Sequence, residues 1–274
     1  MANALFPPLN LSAWQPTRDT LHLYSQLAGK IRRALAPPHP HWWHVSLHVD
    51  EAGLTTPPIP TPDGRSFRLT LDLTRHTFRI ALPDGDERAF PLPEQSPAAL
   101  CRQTLDTLAE AGIHPDFDRA PFAGETIRPY HPPHAEAYRA ALQSVHAVFR
   151  QFRAALPGER SPVQLWPHHF DLSLVWFSGR EADVPAGEEG GPEQIGFGFS
   201  TGDEGVPKAY FYANPWPFPD GLQETPLPPG AQWHTAGWMG GLLLYRTVAA
   251  ADDPAQTLLR FLQTVYRHAA ARMQ

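Results

Sequence analysis

The sequence contains a single cysteine, no long hydrophobic run and no secretory signal. Cys101 alone cannot form an internal disulfide, and one thiol gives no support for a cysteine-rich zinc site. No apolar segment approaches the roughly 20 residues that a membrane-spanning helix needs, so we expect no membrane partner. The N-terminus lacks a basic region followed by an apolar one, and we therefore expect a cytoplasmic protein.

The basic residues do not form a continuous stripe. The formal net charge is −6, and most of the excess negative charge lies in one loop rich in glycine and proline, residues 180–194. Because no lysine/arginine stripe is present to neutralise phosphates, we expect no nucleic-acid partner. Proline is abundant, with 32 of 274 residues against a usual share of about 5%. The prolines lie mainly between periodic segments and therefore indicate stiffened loops rather than disorder.

The familiar catalytic and nucleotide-binding motifs are also absent. No G-x-S-x-G occurs, which gives little support to catalysis by a serine nucleophile. No histidine spacing matches a metal motif such as H-E-x-x-H, and the glycine-rich segment 196–205 lacks the Gly-Lys-Ser/Thr of a P-loop. The sequence therefore leaves the reaction type and the cofactor unknown.

Hydrophobic periodicity predicts helices that alternate with groups of strands. Four helices are expected, at about 17–35, 97–111, 134–156 and 254–272. Ser96 and Asp253 each precede a proline at the start of a predicted helix, which is typical of N-cap residues. Residues 233–248 fit neither a helical nor a strand pattern. Eight strands are expected, at 43–50, 67–73, 76–82, 88–92, 163–166, 170–178, 194–200 and 208–213.

The order of these elements indicates an old internal duplication. Each half of the chain consists of a helix, three or four strands and a second helix, and the last helices begin alike. We therefore predict a single domain over residues 1–274, made of two repeats at 14–115 and 130–274. The predicted fold class is α+β, with an antiparallel sheet covered by helices on one face.

Several short motifs stand out along the chain: HWWHVSL (41–47), GLTT (53–56), SPV (161–163), FDLS (170–173) and FSGR (177–180). Together they resemble those of a bacterial domain-of-unknown-function family. The resemblance covers the chain from about Trp14 to Ala271 and implies no activity that can be transferred. Many relatives have Gly-Ser where this chain has His168-His169, which argues against a mechanism that needs both histidines.

The candidate catalytic residues lie where two predicted strands begin in matching positions of the repeats. Superposing Val45-Ser46-Leu47 on Leu172-Ser173-Leu174 places His44 opposite Asp171. A carboxylate beside an imidazole raises the pKa of that imidazole and fixes its tautomer, as a general base requires. We therefore predict His44 and Asp171, together with His169, as catalytic residues. A purely structural histidine–aspartate hydrogen bond is the alternative.

Strand alternation predicts the ligand-binding residues. His44, Ser46 and His48 would share one face of the strand at 43–50, and Asp171 and Ser173 would share one face of the strand at 170–178. A glycine-rich hairpin follows, for which an ordinary structural hairpin is the favoured interpretation. In the alternative, the small residues at 196 and 198 would lie under a ligand. The predicted ligand-binding residues are His48, Ser46, Ser173, Glu204, Tyr210, Tyr212 and Trp216.

A metal site has the histidine-rich segments as its only candidates. His168, His169 and Asp171 fall within four residues, and imidazole and carboxylate together suit zinc or a related divalent ion. Histidines flanked by prolines are commonly polar loop residues, so we predict no resident metal.

Two classes of function fit these observations. The first is a small-molecule-binding protein, with or without histidine/aspartate acid–base catalysis, whose pocket lies on the polar face of the sheet between the repeats. The second is a non-catalytic module in which the open sheet face binds a partner or forms a homodimer.

Overall fold

The four predicted helices all lie close to their expected positions. The structure, a computed structural model, describes residues 5–183 and 190–273. Its helices are α1 (Leu11–Leu35), α2 (Pro97–Glu110), α3 (Pro132–Ala155), α4 (Tyr245–Ala249) and α5 (Pro254–Ala270). Helix α1 begins six residues before the predicted start because Pro16 lies inside it rather than ahead of it. Within the described residues no helix is both long and apolar enough to span a bilayer.

The chain divides into two units. The N-terminal unit consists of Ser12–Gln143 and Gln164–Phe170. The C-terminal unit consists of Met1–Leu11, Ser144–Val163 and Asp171–Gln274. Residues 184–189, which form the middle of the predicted acidic loop, lie outside the described residues.

The start of helix α2 confirms the predicted N-cap. The Ser96 hydroxyl accepts a hydrogen bond from the backbone N–H of Ala99 at 3.1 Å, and Pro97 occupies the first helical position. We expect Ser96→Ala to lower the free energy of unfolding by about 1 kcal/mol, because the N–H of Ala99 would lose its acceptor. Chemical denaturation should show this loss, and Ser96→Asp, which restores a capping oxygen, should recover most of it. Equal stability of Ser96→Ala and wild type would contradict the assignment.

The N-terminal unit contains an antiparallel sheet. Its strands follow the order β1-β2-β4-β5-β6, and β3 pairs with β4. Leu69, Leu71, Phe78 and Ile80 are fully buried and contribute to the core of the unit. A further strand, β7 (Gln164–Trp166), forms a bridge between Leu165 and Leu47. The strand bounds are β1 (His48–Val49), β2 (Gly53–Thr55), β3 (Ile59–Pro60), β4 (Ser66–Asp72), β5 (Thr77–Ala81) and β6 (Glu87–Pro91).

The C-terminal unit contains a second antiparallel sheet, with strands in the order β11-β12-β10-β9-β8. Helices pack on its apolar face: the Phe152 ring of α3 lies 4.8 Å from the Phe197 ring, and Tyr266 of α5 lies 5.2 Å from Trp176. The α+β class with helices on an apolar sheet face is therefore confirmed. The strand bounds are β8 (Asp171–Glu181), β9 (Pro192–Ser200), β10 (Tyr210–Trp216), β11 (Ala231–His234) and β12 (Gly240–Leu244).

The predicted strand at 43–50 is wrong over most of its length. Trp42 adopts a left-handed conformation with φ 59°, and Trp43–Val45 form a 3-10 turn closed by a bond from the N–H of Val45 to the carbonyl of Trp42. Only His48–Val49 is a strand. His44, Ser46 and His48 therefore do not alternate along one strand as predicted. The matching of this segment to the start of β8 fails in secondary structure, and the duplication is not confirmed.

Candidate functional site

Four predicted site residues meet on the polar face of the C-terminal sheet. Asp171 and Ser173 project from β8, and Tyr210 and Tyr212 project from β10. In the strand register, Ser173 lies opposite Gly198 of β9, and Gly198 lies opposite Tyr212. The three strands therefore bring these side chains to one side of the sheet, because alternate residues of a strand share a face.

Gly198 lets the Tyr212 ring cross the central strand. A Cβ atom placed on Gly198 would lie 2.0 Å from Cζ and 2.2 Å from the hydroxyl oxygen of Tyr212. Gly196 is filled in the same way, since a Cβ there would lie 2.7 Å from the Asn214 side-chain oxygen. The space over both glycines is thus taken by the chain's own side chains. The prediction that the two glycines lie under a ligand is wrong for this reason.

Each of the two tyrosines is held between a serine and an aspartate. The Tyr212 hydroxyl donates to Asp171 Oδ2 and is hydrogen-bonded to Ser173. The Tyr210 hydroxyl donates to Asp203 Oδ2 at 2.6 Å and is hydrogen-bonded to Ser200. We call Ser173, Tyr212 and Asp171 the Tyr212 group, and Ser200, Tyr210 and Asp203 the Tyr210 group.

Burial and the neighbouring aspartates keep the phenols of both groups protonated. Burial, followed by the negative charge of Asp171, raises the pKa of Tyr212 far above its ordinary value. Burial and the hydrogen bond to Asp203 likewise raise the pKa of Tyr210. Both side chains are therefore hydrogen-bond donors at neutral pH and cannot serve as bases. Their chemistry is to hold the carboxylates in place and to offer their rings.

Trp238 extends this face with a third large ring. It lies in the turn between β11 and β12, nearly parallel to the Tyr210 ring at a centroid distance of 6.2 Å and with an angle of 17° between the planes. It also contacts the Tyr212 ring edge-on at 6.3 Å and the His234 ring at 4.3 Å. Trp238 is partly exposed, and the carboxylate of Asp203 lies on an exposed turn.

Sequence reasoning missed three members of this cluster. Ser200 lies two residues after Gly198 in β9, so strand alternation places it on the same face as Gly196 and Gly198. Asp203 lies in a turn next to the predicted Glu204, and it is Asp203 that accepts the hydrogen bond from the Tyr210 hydroxyl. Trp238 falls in the segment to which no secondary structure could be assigned. Trp216, predicted as a ligand-binding residue, is partly buried at the end of β10.

The remaining predicted site residues lie in the N-terminal unit. His44 is buried, and its Nδ1 accepts a hydrogen bond from the backbone N–H of His39 at 3.0 Å. Burial and the neighbouring Arg32 lower the pKa of His44, which keeps its imidazole neutral at neutral pH. A carboxylate would raise that pKa, so the surroundings of His44 are those of a structural histidine rather than of a general base.

Ser46 is a buried junction in the same unit. Its hydroxyl bonds to the side-chain oxygen of Gln164 at 2.7 Å, and Arg32 donates to its carbonyl oxygen. His48 is partly buried, and its pKa is lowered by burial and by Arg32 and Arg68. His169 is exposed.

The histidine-rich segment does not form a metal centre. Burial and the neighbouring His169 lower the pKa of His168, whose backbone carbonyl is bonded to the ring of His22 at 3.2 Å. In the part of the chain that the structure describes, no group of three or more histidine, cysteine, aspartate or glutamate residues could hold a metal ion. His168, His169 and Asp171 therefore have no support as metal ligands.

The fold and the site define an α+β protein with one antiparallel sheet in each of two units. Residues 6–274 match the model of a family described as "Family of unknown function (DUF5996)", and the chain belongs to that family. Comparison with curated proteins and with solved structures finds no match.

Proposed function

We propose that the protein binds a small organic molecule that carries an amino group, on the polar face of the C-terminal sheet. The observation that supports this is Tyr210, whose hydroxyl holds the carboxylate of the exposed Asp203 at 2.6 Å and whose ring lies 6.2 Å from the Trp238 ring. A protonated amine is attracted both by a carboxylate and by the faces of electron-rich aromatic rings. Tyr210 connects a carboxylate and an aromatic ring here, because it is bonded to Asp203 and packs against Trp238.

The Tyr212 group would act as the floor of this site. Tyr212 crosses the sheet over Gly198, bonds to Asp171 and contacts the edge of Trp238. This arrangement fixes the ring against which Tyr210 packs at 6.2 Å. Tyr212 and Asp171 are thus positioning residues in the proposal, and Asp203, Tyr210 and Trp238 are the contacting residues.

Three small probes of the same shape and different charge test the proposal. We expect benzylamine, which is positively charged, to bind about tenfold more tightly than neutral benzyl alcohol, since a cation–ring contact contributes about 1 kcal/mol or more. Benzoate, which is negatively charged, should bind least. Titrations followed by the indole N–H resonance of Trp238, assigned with Trp238→Phe, would measure the three affinities. Equal affinities for the three probes would contradict the proposal.

Two neighbouring residues provide a matched pair of variants. Asp203→Asn removes the charge that Tyr210 holds and should weaken benzylamine binding, but not fully to the level of benzyl alcohol, because the cation–ring contact remains. Glu204→Gln removes an equal charge from the next residue, which is exposed, and should leave the affinity unchanged. If both variants weaken binding equally, the attraction is a general effect of surface charge and the site is not the one proposed.

A further inference from the structure

Arg32 is buried in the N-terminal unit without a carboxylate partner. Its side chain lies in the last turn of α1, and the residue is only 9% exposed. The guanidinium donates from Nη1 to the carbonyl oxygen of Ser46 and, at 3.3 Å, to the Ser46 hydroxyl. Over residues 5–183 and 190–273 no aspartate or glutamate forms an ion pair with it. A buried arginine is almost always paired, so this one requires an explanation.

Gln164, which is bonded to the same Ser46, has a side-chain nitrogen without a partner in the described part of the chain. Gln164 is 1% exposed, and its Oε1 is bonded to the Ser46 hydroxyl at 2.7 Å. Its Nε2 is buried without a hydrogen-bond acceptor in the described part of the chain. A buried donor left without an acceptor destabilises the folded protein. An acceptor supplied by a ligand would remove that destabilisation.

The charges around Arg32 are positive. Arg32 lowers the pKa of both His44 and His48, after the larger effect of burial, and no carboxylate is among the causes of either shift. Arg33 adds to the effect on His44, and Arg68 adds to the effect on His48. Burial alone lowers the pKa of Arg32 to about 10, so the guanidinium stays charged at neutral pH. The region therefore repels cations and attracts anions.

We propose that Arg32, His48 and Arg68 form a binding site for a small oxyanion, either a carboxylate or a phosphate group, independent of the site on the C-terminal sheet. The planar guanidinium uses only Nη1 for Ser46, and its remaining N–H donors suit two oxygens of one oxyanion. In the sheet, His48 lies opposite Thr55 and Thr55 lies opposite Thr70, which is two residues from Arg68, so His48 and Arg68 share one face. The exposed Arg68 would add a second positive charge, and the neutral His48 and Gln164 would supply uncharged donors.

Titration of the full-length protein with sodium phosphate and with sodium acetate, at constant ionic strength set by sodium chloride, tests this site. We expect at least one of the two oxyanions to bind saturably by calorimetry and to raise the melting temperature, whereas chloride alone does not. Binding of phosphate only would assign a phosphate group, and binding of acetate only would assign a carboxylate. If neither oxyanion shows saturable binding, the proposal is overturned.

Variants at adjacent positions separate a site from general attraction. Arg32→Gln should abolish oxyanion binding, and Arg68→Gln should weaken it about tenfold, as expected for the loss of one charged contact. Arg33→Gln removes the same charge from an exposed neighbour that acts on His44 but is not among the causes of the shift at His48, and it should weaken binding much less than Arg68→Gln. Because Arg68 is exposed, its variant carries the test even if Arg32→Gln fails to fold. Equal weakening by Arg33→Gln and Arg68→Gln would contradict the site.

Discussion

Between pH 10 and pH 12 the protein is expected to unfold. Burial raises the pKa of Tyr24 to about 12 and raises the pKa values of Tyr210, Tyr212 and Tyr245 well above the ordinary value of 10. Above pH 10 the unfolded chain releases these phenolic protons while the folded chain retains them. The free energy of unfolding therefore falls as the pH rises, by about 1.4 kcal/mol per pH unit for each such tyrosine.

The four tyrosines together are sufficient to cause global unfolding. The combined effect of Tyr24, Tyr210 and Tyr245 over two pH units is on the order of 8 kcal/mol, which is comparable to the whole stability of a typical domain, and Tyr212 adds to it. Below pH 10 the contribution is fully present, because both states then keep their phenols protonated. The loss begins at the pKa of the unfolded tyrosines and ends when the folded tyrosines ionise.

Two signals recorded along one pH titration check this expectation. The ultraviolet absorbance of tyrosinate and the far-ultraviolet circular dichroism should change together, because the buried phenols ionise only when the chain unfolds. Tyr245→Phe keeps the ring but removes an ionisable group, so the pH dependence of its stability should be less steep. Full ionisation of the tyrosines near pH 10 with an unchanged circular dichroism spectrum would contradict the burial of these side chains.

The long elements of the fold could be predicted because their hydrophobic period is unambiguous. In α5, Leu258, Leu262, Val265 and Ala269 recur at helical spacing, and all four are buried. In β8, Leu172 and Leu174 alternate with Ser173 of the polar face. Local sequence determines such elements because each is long enough to bury a complete face.

The short elements could not be predicted, for a different reason. The segment HWWHVSL shows an alternation that a strand would also produce, but Trp42 turns the backbone at φ 59° and a 3-10 turn follows. In the segment 233–248, the turn at Gly237 separates β11 from β12, and α4 then follows without a linker. The outcome in both segments depends on one residue with positive φ, which periodicity does not reveal.

The same distinction applies to the candidate sites. Alternation predicts that Asp171 and Ser173 share a face, and the glycine-rich hairpin makes Tyr210 and Tyr212 ligand-binding candidates. The structure brings these four together. Arg32 is one of two basic residues in the last turn of α1, and a sequence does not show that one of them is buried and lacks a counter-ion. The unusual feature of that residue is set by tertiary packing alone.

Gly198 is the position where sequence, packing and site are most closely linked, and its replacement should have a large effect. A Cβ atom in Gly198→Ala would lie within 2.4 Å of three atoms of the Tyr212 side chain. The ring must then leave its place across β9 and lose its bonds to Asp171 and Ser173. We expect a loss of about 2–3 kcal/mol in the free energy of unfolding, from the strained packing and the lost hydrogen bonds.

Gly191→Ala provides the matched control for that substitution. Gly191 lies just before β9, and a Cβ there would be 3.9 Å from the nearest atoms, on the Trp216 ring, which is ordinary contact. Chemical denaturation should show a change of less than about 0.5 kcal/mol for this variant. An equal loss for Gly191→Ala would mean that the cost at position 198 arises from the glycine backbone and not from the Tyr212 ring.

A double-mutant cycle with Tyr212→Ala provides the decisive comparison. Without the ring, the added methyl group of Gly198→Ala meets no obstacle, and alanine loses less conformational entropy on folding than glycine. The substitution that costs about 2–3 kcal/mol in the wild type should then be neutral or stabilising by up to about 1 kcal/mol. If Gly198→Ala destabilises both backgrounds equally, the Tyr212 ring does not occupy the space over Gly198, and the arrangement of the Tyr212 group described above would be wrong.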